Sequence, residues 1–108
     1  MSAVKAEFQG KKLLNDGFIA EAYVNAHGVD PQDDLTNLKI QSFLPKFYVA
    51  CRRNADEAEG KTPLSTREYA GELSIRDLGN PEFVDAMTKL LEENPKNAES
   101  GEGGNPNP

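Results

Sequence analysis

A proline at position 45 stands inside the longest helical apolar stripe of the chain, and the two together limit what the chain can become. In TNLKIQSFLPKFYVACRRN, residues 36–54, the apolar positions Ile40, Phe43, Leu44, Phe47, Tyr48 and Cys51 recur at spacings of three and four. That spacing gathers them on one face of an α-helix. Pro45 withholds a backbone donor and disfavours helical backbone at Leu44. Either one helix ends near Leu44 and another begins with Pro45 in its first turn, or one helix passes through the proline with a kink. The stripe runs unbroken across Pro45, so the kinked or tightly joined form is expected, with its aromatic face as core. The Tyr48 hydroxyl needs a polar partner or water, which places that residue at the edge of the core.

The flanking segments carry start and stop signals of their own. Phe18, Ile19, Ala22, Tyr23 and Ala26 form a second stripe, with Asn15 or Asp16 available as cap and Gly28 as terminator. Val29–Leu35 reads as a loop in which Asp30-Pro31 opens a turn. Its three aspartates lack the glycine and glutamate of a twelve-residue calcium loop, so capping and dipole compensation account for them. Asp56–Pro63 reads as a polar loop. Ser65-Thr66-Arg67-Glu68 is a capping box, and Leu64 and Tyr69 fit a hydrophobic staple around it. Gly71 shortens the helix that follows. Ser74 and Asp77 start a further turn that carries Ile75 and Leu78 inward until Gly79. Asn80-Pro81-Glu82 opens a last helix with Phe83, Val84, Met87, Leu90 and Leu91 on one face, ended by Asn94-Pro95.

The sum is an all-α fold, a compact bundle of four to five short helices over residues 15–94. Residues 1–14 are either a short hairpin around Gln9-Gly10, with Val4, Ala6 and Phe8 alternating, or a frayed arm that docks Phe8 or Leu13. Residues 95–108, rich in Gly, Pro and Asn, form a polar tail expected to be disordered.

Charge and chemistry narrow the functional classes. The 108 residues hold one domain and a formal charge of −6, which argues against nucleic acid as a partner. No apolar run has the length of a membrane span or signal peptide, so a soluble, cytoplasmic protein is expected. One cysteine and one histidine leave no ligand set for a structural metal, and no cofactor motif is present. Arg52 and Arg53 beside Cys51 could lower a thiol pKa, but a nucleophile also needs a base, and His27 sits in another helix where a capping role fits it. The chain reads as a non-enzyme.

The order of features, SFLPKFYVACRRN, a polar loop, the capped helix LSTREYAGEL with Leu64, Ser65 and Glu68, and FVDAMTKLLEENP before a Gly/Asn/Pro tail, resembles the tail assembly chaperones of long-tailed, non-contractile bacteriophages over roughly residues 36–95. The resemblance implies binding of the tape-measure protein, protection of its apolar faces and recruitment of tail-tube subunits. It also implies a longer frameshifted form of the same chain, compatible with slippery codons at residues 95–97 and 103–105. Aromatic and basic content nominates Phe43, Phe47, Tyr48, Arg52 and Arg53 as partner-binding residues. The competing class is a small acidic helical adaptor that binds a basic protein.

Overall fold

The computed structural model describes residues 3–92. Among them, two strands precede six helices. Strands β1 (Val4–Phe8) and β2 (Lys11–Asn15) pair antiparallel, from Val4 opposite Asn15 to Phe8 opposite Lys11. Gln9 and Gly10 join them with φ of 53° and 79°, the two positive values that a type I′ hairpin turn requires. The helices are α1 (Ile19–His27), α2 (Pro31–Asn37), α3 (Ile40–Ala58), α4 (Thr66–Ala70), α5 (Ile75–Leu78) and α6 (Pro81–Glu92).

The expected all-α bundle of four to five helices is therefore corrected to a mixed α/β fold, 62% helical among the described residues, with a two-stranded sheet. A lone hairpin is marginal in water, but this one is built into the core. Val4, Phe8, Leu13 and Asn15 share one face and are buried. The Phe8 ring meets Phe83 edge-on at 5.5 Å and Tyr48 at 6.4 Å. The outer edge of β2 is covered by α3, where Arg52 Nη1 donates to the Lys12 carbonyl at 3.2 Å and Asn54 Nδ2 to that of Leu14 at 3.1 Å. Tertiary bonds thus supply what a two-stranded sheet lacks.

The loop expected at residues 29–35 is also corrected, since it contains α2. Asp30 is its cap, accepting from the Gln32 N–H at 2.8 Å, and Pro31 occupies the first helical position. Asp-Pro serves a helix start as well as a turn, because proline's fixed φ suits both.

Helix α3 runs as one element through Pro45 and on to Ala58, taking in the start of the expected loop at Asp56. The proline removes the donor for the Gln41 carbonyl, but Gln41 is exposed and water reaches it. Every residue from Phe47 to Arg52 is buried, and so are Asn54 and Ala55. Such all-round burial makes α3 the central post, with the hairpin, α1 and α4 packed against it.

Both short helices carry complete capping boxes. In α4 the Glu68 N–H donates to Ser65 Oγ at 3.1 Å and the Ser65 N–H to Glu68 Oε1 at 3.0 Å. Leu64 is 40% exposed, and its N–H donates to the Tyr69 hydroxyl at 3.0 Å. In α5, Ser74 and Asp77 bond reciprocally at 3.2 and 2.9 Å, yet Ile75 is 89% exposed and Leu78 41%. The expectation that these two point inward is overturned, because Leu73 already packs against the core and a four-residue helix buries no continuous face. Helix α6 buries Phe83, Ala86, Met87 and Leu90 while Val84 faces solvent. The stop at Asn94-Pro95 and the tail at residues 95–108 lie outside the described residues.

Candidate functional site

The five residues nominated from aromatic and basic content lie together on α3, but not at its surface. Tyr48 has no exposed area, Phe43 is 1% exposed, Phe47 4% and Arg52 8%. Phe43 stacks between Tyr23 and Phe47, with ring centroids at 5.8 and 5.5 Å. Arg53 is half-buried; its Nε lies 3.4 Å from Glu57 but makes no hydrogen bond among the described residues. In the folded chain four of these side chains are buried and Arg53 is partly accessible.

What the basic cluster builds instead is an internal polar network. The Arg52 guanidinium meets Glu72 with two bonds, Nε to Oε1 at 2.8 Å and Nη2 to Oε2 at 3.1 Å. The same Oε1 accepts the Tyr48 hydroxyl at 2.8 Å. Asp56, one turn along α3, approaches Arg52 at 3.5 Å and accepts the Tyr69 hydroxyl at 2.7 Å. The guanidinium carbon sits 5.2 Å from the Tyr69 ring centre, within cation–π range. A similar arrangement joins α1 to α2, where Tyr23 donates to Asp34 at 2.7 Å and Lys46 pairs with the same carboxylate.

The electrostatic consequence is a set of groups locked in one protonation state. Burial, then the bond to the neighbouring carboxylate, pushes Tyr69 up to about 12 and raises Tyr23 and Tyr48 further. The Glu72 bond holds Arg52 above its ordinary value. These raised values keep the three tyrosines and Arg52 protonated near neutral pH, and their bonds tie α3 to α4 and to Glu72 beyond it. Sequence reasoning located Arg52 but missed Glu72. Asp56 was legible as the acid four residues after Arg52 on an extended α3; Glu72, beyond α4, had no local signal.

Cys51 and His27 are both held within the fold. Cys51 is wholly buried, and burial, then the nearby Asp16, pushes its thiol well up, away from the thiolate that reacts. His27 bonds through Nε2 to the Lys46 carbonyl at 2.9 Å, and burial lowers its pKa. Among the described residues no group of three His, Cys, Asp or Glu side chains could hold a metal ion.

The surface offers exposed apolar side chains. Among the described residues, Ile75 is the most exposed large hydrophobic side chain at 89%, followed by Phe18 at 66%. Phe18 borders a groove of about 380 Å³ between α1 and the second half of α3, together with Asp16, Glu21, Asn25 and Glu57. Among the described residues no helix is long and apolar enough to cross a membrane. Comparison with family models, curated proteins and solved structures finds no match to this chain.

Proposed function

We propose that the chain is a non-enzymatic binding protein that acts as a tail assembly chaperone: it covers apolar faces of a long helical tape-measure protein and brings tail-tube subunits to it. The single observation that carries the reading is Ile75. It stands 89% exposed, with Leu78 one turn on, on a helix held rigid by a double cap and by the bond from Gln9 Nε2 to Asp77 Oδ1 at 3.2 Å. An isolated exposed apolar residue is ordinary, but one fixed on a capped turn that buries nothing loses little entropy when it meets an apolar partner. The buried nucleophile and the locked tyrosines support a binding role over a catalytic one. The contact residues proposed here are accordingly Ile75 and Leu78 on α5, in place of the interior face of α3.

Co-expression with a long helical tape-measure protein tests the reading. The soluble yield of that protein is expected to rise with the wild-type chain and to fall at least several-fold with Ile75→Asp, whose side chain lies in water and leaves the fold intact. An unchanged yield with Ile75→Asp rules out α5 as the contact. If binding instead survives that substitution but disappears with added salt, the acidic-adaptor reading takes its place, since exposed charge pairs are screened and apolar contacts are not.

A further inference from the structure

Two edges bound the hairpin, and only one of them is covered. In a hairpin closed by a two-residue turn, Phe8 and Lys11 form a hydrogen-bonded pair, and every second pair after it does the same. By that alternation Ala6 and Leu13 bond to each other, while the N–H and C=O groups of Lys12 and Leu14 point outward from β2 and those of Lys5 and Glu7 point outward from β1. The β2 side confirms the register, because Arg52 and Asn54 reach the outward carbonyls of Lys12 and Leu14. Among the described residues, nothing bonds to the backbone of Lys5 or Glu7. A groove of about 330 Å³ separates this edge from the Glu82, Asp85 and Lys89 flank of α6.

The side chains along this edge are uncommitted as well. Lys12, directly opposite Glu7, gives its ammonium to Glu59 at 2.9 Å. Among the described residues neither Lys5 nor Glu7 makes an ion pair, and both are exposed on the same face of the sheet. An edge strand of this kind is a template for another strand.

We infer that β1 pairs with β1 of a second copy of this chain, antiparallel about a two-fold axis through Ala6, to give a four-stranded sheet in a symmetric dimer. The occupant follows from the sequence of the strand itself. With Ala6 on the axis, Lys5 of one copy stands opposite Glu7 of the other, and the reverse, so the uncommitted charges pair across the interface. The groups that point outward are the ones this register uses: each Lys5–Glu7 pair exchanges two backbone hydrogen bonds. On the face that carries Lys5 and Glu7 the order across the new sheet becomes Lys12, Glu7, Lys5 and the buried Leu14, so each Glu7 lies between two cations. The arrangement is isologous and closes on itself. It does not rest on the binding role proposed above.

Sedimentation equilibrium of the full chain, with Lys5→Glu and Glu7→Lys variants, tests the pairing. The wild type is expected to reach twice the chain mass as concentration rises. Each single variant places like charges at both pairs and is expected to lose about tenfold or more in dimer affinity. Both side chains are exposed, so circular dichroism of the variants is expected to match the wild type. An equimolar mixture of the two variants sets a strand acidic at both positions against one basic at both. Each cross-strand pair is then opposite in charge again, and the double mass is expected to return. A wild type that stays monomeric at all concentrations overturns the inference. So does a dimer unaffected by the single variants, or a mixture that remains monomeric.

Discussion

Glu72 anchors two side chains of α3 at once, the Arg52 guanidinium through two bonds and the Tyr48 hydroxyl through one. Its own side chain is 13% exposed and that of Arg52 10%, so the pair is largely shielded from screening. Removing one partner of such a pair leaves the other charge uncompensated and costs about 3 kcal/mol. Glu72→Ala is expected to lose about that much in urea unfolding. Replacing the exposed pair partner Glu59, which meets Lys12 at the surface, is expected to change stability little. Equal effects from the two would mean that the network carries no more than a surface bridge. At this scale Arg52 is also where a sequence reading leaves two roles open. Arginine beside aromatic residues on a helix describes a binding surface and an internal brace equally well, and only the acids that converge on it from Asp56 and Glu72 decide between them.

The two capping boxes separate local from tertiary worth. They are alike in chemistry, but α4 carries the fully buried Tyr69 into the core, whereas α5 buries nothing. Ser65→Ala is therefore expected to cost about 1 kcal/mol of global stability. Ser74→Ala frees a turn that opens without the core and is expected to cost less than about 0.5 kcal/mol. Thermal unfolding of both variants measures the difference, and equal losses would show that α5 is as integral as α4. Both boxes were legible in sequence because a cap bonds within four residues. The inward placement of Ile75 was not, since a turn of helix has no preferred side until its neighbours are in place. The hairpin lies between these cases: alternation and Gln9-Gly10 describe it, and its docking against Phe83 and Tyr48 makes it stable.

At the scale of the whole molecule the three tyrosines act together. They are all the tyrosines the chain has, each is wholly buried, and each donates to a carboxylate on another segment: Tyr23 to Asp34, Tyr48 to Glu72 and Tyr69 to Asp56. Their folded pKa values are raised above the ordinary 10.0, that of Tyr69 to about 12. A group raised on folding contributes stability that is complete below its unfolded value and is lost as pH climbs through the folded one. The chain is therefore expected to unfold in alkali between about pH 10 and 12, with tyrosinate absorbance and loss of helical circular dichroism appearing in one transition. Tyrosinate signal near pH 10 with helicity intact would show that at least one ring is accessible.

The sequence by itself determined the features that close over short distances: the stop at Gly28, the two capping boxes, the opening of α6 at Asn80-Pro81, and the apolar stripe of α3. Each depends on bonds or contacts within about one turn of chain. The tertiary structure decided the rest. Whether α3 runs unbroken through Pro45, whether Arg52 faces solvent, and whether a marginal hairpin persists all depend on groups distant in sequence. Glu72 lies twenty residues from Arg52, and Leu90, whose carbonyl accepts from Asn15 at 2.9 Å, lies seventy-five from its partner. Pro45 marks the boundary between the two: its chemistry forbids one hydrogen bond, and the packing around α3 allows the helix to continue without it.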